Sequence, residues 1–313
     1  MVGLLRELSM WVKRVLAGAA ALSLCLLGAA CSGSDGAGEE TAPALRISAI
    51  PDRDPTELAT RENAMAAYLQ ASLGVRVEYV PVTDYAASVS LFKTGDLDLV
   101  FYGGLTGVQA RQQVPDAVLL AQRDIDANFK SVFIANPSAG VGQISGVEGL
   151  TALRGKRFTF GSESSTSGRL MPEYFLADAG VDSATDFAGS PGYSGSHDKT
   201  VDLVESGSYE AGVLNVQVWQ DRLEAHSLDT EKVQAVFTTP TYHDYHWIAG
   251  PEVDDRLGDG VTNRLRDALL ALDGSDAAEK KVLELYGARS VIPTAPENYD
   301  EIEEIGRQLG LLR

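Results

Sequence analysis

The chain has 313 residues, of which 44% are hydrophobic and 22% charged, and its formal net charge is -18 at pH 7. This composition is that of a globular protein, and the length suits about two domains. The negative charge argues against nucleic acid as a partner, because phosphate backbones are bound by clusters of lysine and arginine. A small anionic ligand remains compatible, since distant surface charge is screened within about 10 Å at moderate salt.

The N-terminal segment has the pattern of a secretion signal. Lys13 and Arg14 precede an apolar stretch that is short for a membrane-spanning helix. It ends in "LLGAA" before Cys31 and resembles a bacterial lipoprotein signal, in which this cysteine is lipidated. We therefore expect residues 1–31 to be a lipoprotein signal, residues 32–44 a flexible tether, and the protein to be lipid-anchored in the cell envelope, outside the cytoplasm. The alternatives are a plain secretory signal or a membrane anchor.

Strands and helices alternate from residue 45 onward. A helix begins at Asp54 and Pro55, an acidic cap followed by proline in the first turn, and ends at Gly74. The other elements predicted in the first series are strands at 45–50, 75–80, 97–102, 117–123 and 130–135, a helix ending at 95, a glycine loop at 103–107 and a helix to about 113. This alternation predicts a largely parallel sheet covered by helices.

A second series of strands and helices begins near Leu153. It contains predicted strands near 156–160 and 233–239 and, between them, a loop, helix, turn and strand over 192–215. The chain then returns through a strand at 245–250. We predict an α/β fold of two lobes, each a mostly parallel sheet flanked by helices. Residues 45–134 and 245–313 form the predicted lobe 1, and residues 135–244 the predicted lobe 2. A ligand is then expected in the cleft, where parallel strands end.

Four loops follow predicted strand ends and lead into helices. Helix N-termini offer unpaired N–H groups and a partial positive charge, so they bind anions without needing lysine or arginine. Ser165, Thr166 and Ser167 add hydroxyl donors at one of these loops, "GSESSTSG". One hydroxyl at a helix start is ordinarily only a cap, but a run of hydroxyls predicts an oxyanion site. The four loops are 82–86, 101–107, 161–168 and 195–200.

Three segments in matching order resemble the phosphate-, phosphite- and phosphonate-binding proteins of ABC importers. They are "VTDYAASVSLFKTGDLDLVFYGG", "FGSESSTSGRLMPEYFL" and "GSHDKTVDLVESGSYEAGVLN". The resemblance covers about residues 45–250 and implies the two-lobed fold of a type II periplasmic binding protein. It also implies that the protein delivers a small oxyanion to a membrane permease with its own ATPase. "FYGGLTGVQAR" and "RFTFGSESSTSGRLMP" are also similar to a subgroup described as selenate-binding.

The resemblance implies roles for particular residues. Ser165, Thr166 and Ser167 match the oxyanion-binding hydroxyl run of the family. The other implied ligand contacts are Tyr85, Tyr102, His197, Asp198, Asn215 and Tyr245. All but Tyr245 have a structural alternative: Tyr85 and Tyr102 as packing residues, His197 bonded to its own loop, Asp198 as a helix cap, Asn215 as a turn residue.

One departure from the family pattern favours selenate. The acidic position of the phosphonate binders falls at Tyr245, within "YHDYHW". Selenate and sulfate are fully ionised near neutral pH and only accept hydrogen bonds, whereas a monoprotonated phosphate needs an acceptor. A site of O–H and N–H donors therefore predicts selenate as the cargo, with phosphonate, phosphite or phosphate as the alternative.

Two other classes of function were weighed. His243, Asp244 and His246 offer a possible zinc ligand set, although polar residues at a hinge explain them as well. An enzyme on the same fold is the second alternative, but the sequence has no nucleophile elbow, P-loop or metalloprotease motif. We expect a monomer that is not an enzyme and uses no cofactor or metal, with the importer and the membrane lipid as its partners.

Overall fold

A computed structural model describes residues 43–313, in which the predicted alternation of strands and helices is present. The strands are β1 Leu45–Ala49, β2 Val77–Tyr79, β3 Leu99–Tyr102, β4 Val118–Arg123, β5 Ser131–Ala135, β6 Phe158–Phe160, β7 Gly192–Tyr193, β8 Ala211–Asn215, β9 Gln234–Thr238, β10 His246–Ala249 and β11 Val291–Ile292. The helices are α1 Pro55–Leu73, α2 Tyr85–Lys93, α3 Gly104–Gln113, α4 Met171–Asp178, α5 His197–Glu205, α6 Val216–Glu224, α7 Val253–Leu257, α8 Val261–Leu270, α9 Ala277–Tyr286 and α10 Asp300–Gln308. The predicted signal, Cys31 and nearly all of the tether lie outside the described residues.

The strands form two sheets, and each sheet with its helices is one lobe. In lobe 1 the order is β11-β4-β10-β3-β1-β2, and in lobe 2 it is β7-β6-β8-β5-β9. Four of the six strands in the first sheet run in one direction, as do four of the five in the second. The two-lobed α/β fold is therefore confirmed, with mixed rather than purely parallel pairing.

Two of the strands that run antiparallel to their neighbours, β5 and β10, have a common cause. β5 and β10 are the strands that follow each passage between lobes, and each runs against its neighbours. The carboxyl ends of the parallel strands face the cleft, so a chain that arrives from the cleft must run away from it. This arrangement places the residues just before β10 beside the loops that follow β1 and β3.

The first passage between the lobes lies earlier than the predicted boundary at residue 134. The strand Ser131–Ala135 pairs with β8 and β9 and therefore belongs to lobe 2. Its apolar sequence fits a buried strand of either sheet, so the sequence could not assign it. The chain crosses between residues 124 and 130 and returns between residues 239 and 245.

Local sequence explains where the helices near the cleft begin. Asp54 caps α1 by accepting hydrogen bonds from the Thr56 and Glu57 amides, as predicted. Asp84 caps α2 through the Ala87 amide. A π-helical turn, Thr166–Leu170, precedes α4 and is capped by Ser165. Within residues 43–313, no helix combines the length and apolar character that a bilayer span requires.

Candidate functional site

The start of α3 in lobe 1 meets the hydroxyl loop of lobe 2. The Leu105 amide donates a hydrogen bond of 2.9 Å to Thr166 Oγ1. Gly103 lies immediately beneath this contact, since a Cβ built on it would be 3.2 Å from Thr166 Oγ1 and 3.1 Å from Asp244 Oδ1. The two lobes therefore touch where sequence analysis placed the oxyanion site.

The three hydroxyl residues are buried but differ in their surroundings. Ser165 Oγ accepts a hydrogen bond from the Gly168 amide, so this residue serves as the cap. Thr166 reaches across to lobe 1. The carbonyl of Ser167 accepts a hydrogen bond from Ser131 Oγ at 2.7 Å, which fixes the backbone of the turn. A single cap accounts for one hydroxyl only, and the other two lie against the Asp244 carboxylate.

Asp244 is a central acid of this site, although sequence analysis considered it only as a possible zinc ligand. Its Oδ1 accepts a hydrogen bond of 2.9 Å from the Gly104 amide, while its Oδ2 has no hydrogen-bond partner among residues 43–313. Burial raises the pKa of Asp244 to about 7, the Gly104 amide opposes the rise, and the Asp126 carboxylate adds to it. This carboxyl can therefore hold or release a proton near neutral pH.

Tyr85 supplies a free hydroxyl to the same region. Its side chain is 2% exposed, and its hydroxyl is without a hydrogen-bond partner in the part of the chain that the structure describes. Burial raises the pKa of Tyr85 well above its usual value, and the Asp52 and Asp244 carboxylates reinforce the rise. The phenol therefore stays protonated and can donate to an anion.

A chain of hydrogen bonds joins both lobes beside this hydroxyl. Tyr245 donates to Asp52 Oδ2 at 2.9 Å and accepts from Asn215 Nδ2 at 3.1 Å. The side-chain oxygen of Asn215 also accepts a hydrogen bond from the Val218 amide and so caps α6. This oxygen therefore has the local structural role that was the alternative to ligand binding. Asp52 was not predicted as a site residue; in "PDRDP" only its neighbour Asp54 carried a recognisable signal, the helix cap.

His197 is held as a neutral donor. Its Nδ1 accepts a hydrogen bond of 3.3 Å from the Asn215 amide, so its proton resides on Nε2. Burial lowers the pKa of His197 to about 4, although the Asp52 charge opposes the change. Nε2 lies 3.5 Å from the Tyr245 hydroxyl, a long contact that leaves this N–H available to a ligand oxygen.

The structure does not bring two of the predicted ligand contacts, Tyr102 and Asp198, to the hydroxyl run. The Tyr102 hydroxyl donates to the Ser88 carbonyl inside lobe 1, because its side chain lies on the face of β3 that packs on α2. Asp198 accepts a hydrogen bond from the Asp54 amide and lies 3.6 Å from Arg222, so it joins the lobes at the rim of the cleft rather than at the hydroxyl run.

The candidate zinc ligands do not converge. His243 Nδ1 faces Gln122 Oε1, His246 Nδ1 faces the Asp244 carbonyl, and the Asp244 carboxylate faces the Gly104 amide. Among residues 43–313, no group of three or more histidine, cysteine, aspartate or glutamate side chains is arranged to hold a metal ion.

Comparison with known proteins agrees with this geometry. Residues 47–299 match the family model described as "ABC transporter, phosphonate, periplasmic substrate-binding protein". The chain belongs to this family. Its members are substrate-binding components of importers rather than enzymes, and the family implies an extracytoplasmic location.

Three matches, to two relatives and one solved structure, support this membership. It is 46% identical to a probable ABC transporter phosphite-binding protein, PhnD1, from Prochlorococcus marinus (strain MIT 9301), over 86% of this chain and 91% of that protein. The structure of PhnD1 in complex with methylphosphonate has a TM-score of 0.83 and covers 85% of this chain and 98% of that one. The phosphate-import protein PhnD of Mycolicibacterium smegmatis is 25% identical over 91% of this chain and 93% of that protein. None of these three is named for selenate, so the narrower prediction gains no support.

Proposed function

We propose that this protein is the binding component of an ABC importer for phosphite or a small phosphonate. The observation that carries the proposal is the buried Asp244 carboxyl, with one oxygen unpartnered among the described residues, beside the Thr166 and Ser167 hydroxyls. A fully ionised anion offers this carboxylate only repulsion. A protonated oxyanion can donate its O–H to it, which replaces that repulsion by a charge-assisted hydrogen bond.

The remaining groups suit the unprotonated oxygens of such a ligand. The Tyr85 hydroxyl and His197 Nε2–H are donors with spare capacity, and the N-termini of α3 and α5 add partial positive charge. A site with several donors and one acceptor matches an oxyanion that carries one acidic proton. This assignment replaces the selenate prediction, which depended on reading the acidic position as Tyr245.

Closure of the lobes is the proposed means of capture. The His197 amide donates to the Asp52 carbonyl at 2.9 Å, and Arg53 lies 3.4 Å from Asp221, so lobes 1 and 2 contact each other around the site. A ligand shifts an open–closed equilibrium only by its differential affinity for the two states. An anion held by Tyr85 of lobe 1 and His197 of lobe 2 meets this condition.

Calorimetric titration of the anion-free protein tests the proposal. Phosphite, methylphosphonate, phosphate, sulfate and selenate are compared in one buffer. We expect phosphite or methylphosphonate to bind at least about tenfold more tightly than sulfate and selenate, because one buried acceptor discriminates by about 1.4 kcal/mol or more. Selenate or sulfate as the tightest ligand would contradict the proposal.

We also propose that a lipid on Cys31 anchors the protein, as a monomer, to the membrane that holds its permease. The support is the basic and apolar segment that precedes Cys31 in the sequence. Membrane fractionation of cells expressing the Cys31→Ala variant tests the anchor. The variant should appear in the soluble extracytoplasmic fraction, and a variant that remains fully membrane-bound would contradict the proposal.

A further inference from the structure

Gln217 of lobe 2 is inserted into lobe 1 at a point away from the oxyanion site. It lies in the first turn of α6, and its side chain is 7% exposed. Its Oε1 accepts a hydrogen bond of 2.7 Å from Arg123 Nη1, and its Nε2 donates to the Tyr286 carbonyl at 3.0 Å. Both partners belong to lobe 1, so these two hydrogen bonds join the lobes.

Gly287 makes room for this contact. It ends α9 in the left-handed conformation, with φ +61°. A Cβ at this position would lie 1.9 Å from Gln217 Nε2. The amide of Gln217 could swing away from an added methyl group, but it would then lose its hydrogen bonds to Arg123 and Tyr286.

Arg123 links this contact to the ligand site. Asp126 fixes the guanidinium with hydrogen bonds of 2.7 and 2.6 Å. The guanidinium lies over the Tyr245 ring, 5.0 Å from its centroid. Tyr245 in turn bonds Asp52 and Asn215 of the two lobes. The Gln217 side chain and the Tyr245 ring therefore both contact the guanidinium of Arg123, which Asp126 holds in place.

We propose that these residues form a closure latch, here called the Gln217 latch and consisting of Gln217, Arg123, Tyr286 and Gly287. The latch sets ligand affinity by stabilising the closed arrangement of the lobes, and it makes no contact with the ligand. It deepens the proposed function, since it rests on capture by lobe closure. A group of this kind alters the affinity of every ligand by the same factor and leaves selectivity unchanged.

Gly287→Ala is the principal test, and Gly74→Ala is its matched control. Both glycines end a helix of lobe 1 in the left-handed conformation, with φ +61° and +70°, but a Cβ at Gly74 meets no atom within 4 Å. Both substitutions therefore carry the same backbone strain. We expect phosphite and methylphosphonate to bind Gly287→Ala at least about tenfold more weakly than they bind Gly74→Ala. This is the loss expected when the buried hydrogen bonds of Gln217 are broken.

A double-mutant cycle identifies the contact responsible. Gln217→Ala and Gly287→Ala break the same interaction, so the double variant should bind no more weakly than the weaker single variant. Additive losses would contradict the latch. The ratio of phosphite to methylphosphonate affinity should stay within about twofold of wild type in all three variants.

Small-angle X-ray scattering of the unliganded proteins separates failure of the latch from failure of the proposed function. Gly287→Ala should scatter as a more open particle than Gly74→Ala. Equal affinities and equal scattering for the two variants would overturn the latch. Wild-type protein that binds neither phosphite nor methylphosphonate would contradict the proposed function. In that case, the difference in scattering between the two variants would still test the latch.

Discussion

The Thr166 hydroxyl of lobe 2 accepts a hydrogen bond from the Leu105 amide of lobe 1, over 2.9 Å. The Leu105 amide lies in the first turn of α3. Amides in the first turn of a helix have no carbonyl partner within that helix, so this one is available to Thr166. The hydrogen bond also places the hydroxyl run beside Asp244, which the same turn binds through the Gly104 amide. The contact between the lobes and the candidate oxyanion site therefore share the first turn of α3.

Thr166→Val should weaken binding of phosphite about tenfold, because the Leu105 amide loses its acceptor and the site loses a donor. Valine keeps the shape of threonine, so packing is preserved. Thr159→Val is the control, since Thr159 is equally buried in lobe 2 but bonds only its neighbour's carbonyl. Calorimetric titration measures both variants, and equal affinities would contradict the role of Thr166.

Asp244→Asn should change the preference of the site. The carbonyl oxygen of the introduced asparagine can still accept from the Gly104 amide, and its NH2 group then replaces the unpartnered acceptor by a donor. We expect phosphite to bind about tenfold or more weakly and selenate more tightly than in wild type. A variant with the wild-type order of affinities for these two anions would show that Asp244 does not set the selectivity.

Gly103→Ala should reduce affinity without unfolding the protein. The backbone of Gly103 is one that alanine adopts freely, with φ -73°, but its Cβ would lie 3.1 Å from Asp244 Oδ1 and 3.2 Å from Thr166 Oγ1. We expect about a tenfold loss, since both polar groups must shift by tenths of an ångström. Gly104→Ala, whose Cβ makes ordinary contacts of 3.4 Å, is the neighbouring control.

His197 should make the protein less stable in acid. Its pKa is lowered to about 4 in the folded protein by burial, against an ordinary value of 6.5, so the unfolded chain binds the proton more readily. The contribution to the free energy of unfolding is complete above pH 6.5 and is lost as the pH falls from 6.5 to 4. This loss amounts to about 3 kcal/mol at most.

Urea unfolding at several pH values checks the His197 prediction. The stability of wild type should fall more steeply than that of His197→Asn across this range. His226→Asn is the control, because His226 is exposed and its φ of 51° suits asparagine. Parallel pH profiles for wild type and His197→Asn would contradict the prediction.

Local signals in the sequence were sufficient for the two-lobed architecture and the hydroxyl run. Alternating strands and helices, the Asp54 cap and the glycine ends of helices all act within a few residues, so sequence reveals them. The assignment of the strand at 131–135 failed because a buried apolar strand fits either sheet.

The site residues that were misplaced depend on contacts between distant segments. Tyr102 ends the apolar run "LVFY", in which alternation cannot tell which face meets the cleft. Asp244 and Tyr245 are neighbours in "YHDYHW". Only the path of the returning chain determines which of these two residues occupies the acidic position of the family's site. Asp52 gains its role from Tyr245, which is far away in sequence.

We propose that the site takes an oxyanion together with one proton. The most direct test of this proposal is titration of wild-type protein with phosphite and selenate at several values from about pH 6 to about pH 9, a range that spans the pKa of about 7 at Asp244. Above pH 7 phosphite should bind more tightly than selenate, and the affinity for selenate should fall about tenfold per pH unit. Selenate binding as tight as phosphite binding, with no dependence on pH in this range, would contradict the proposal.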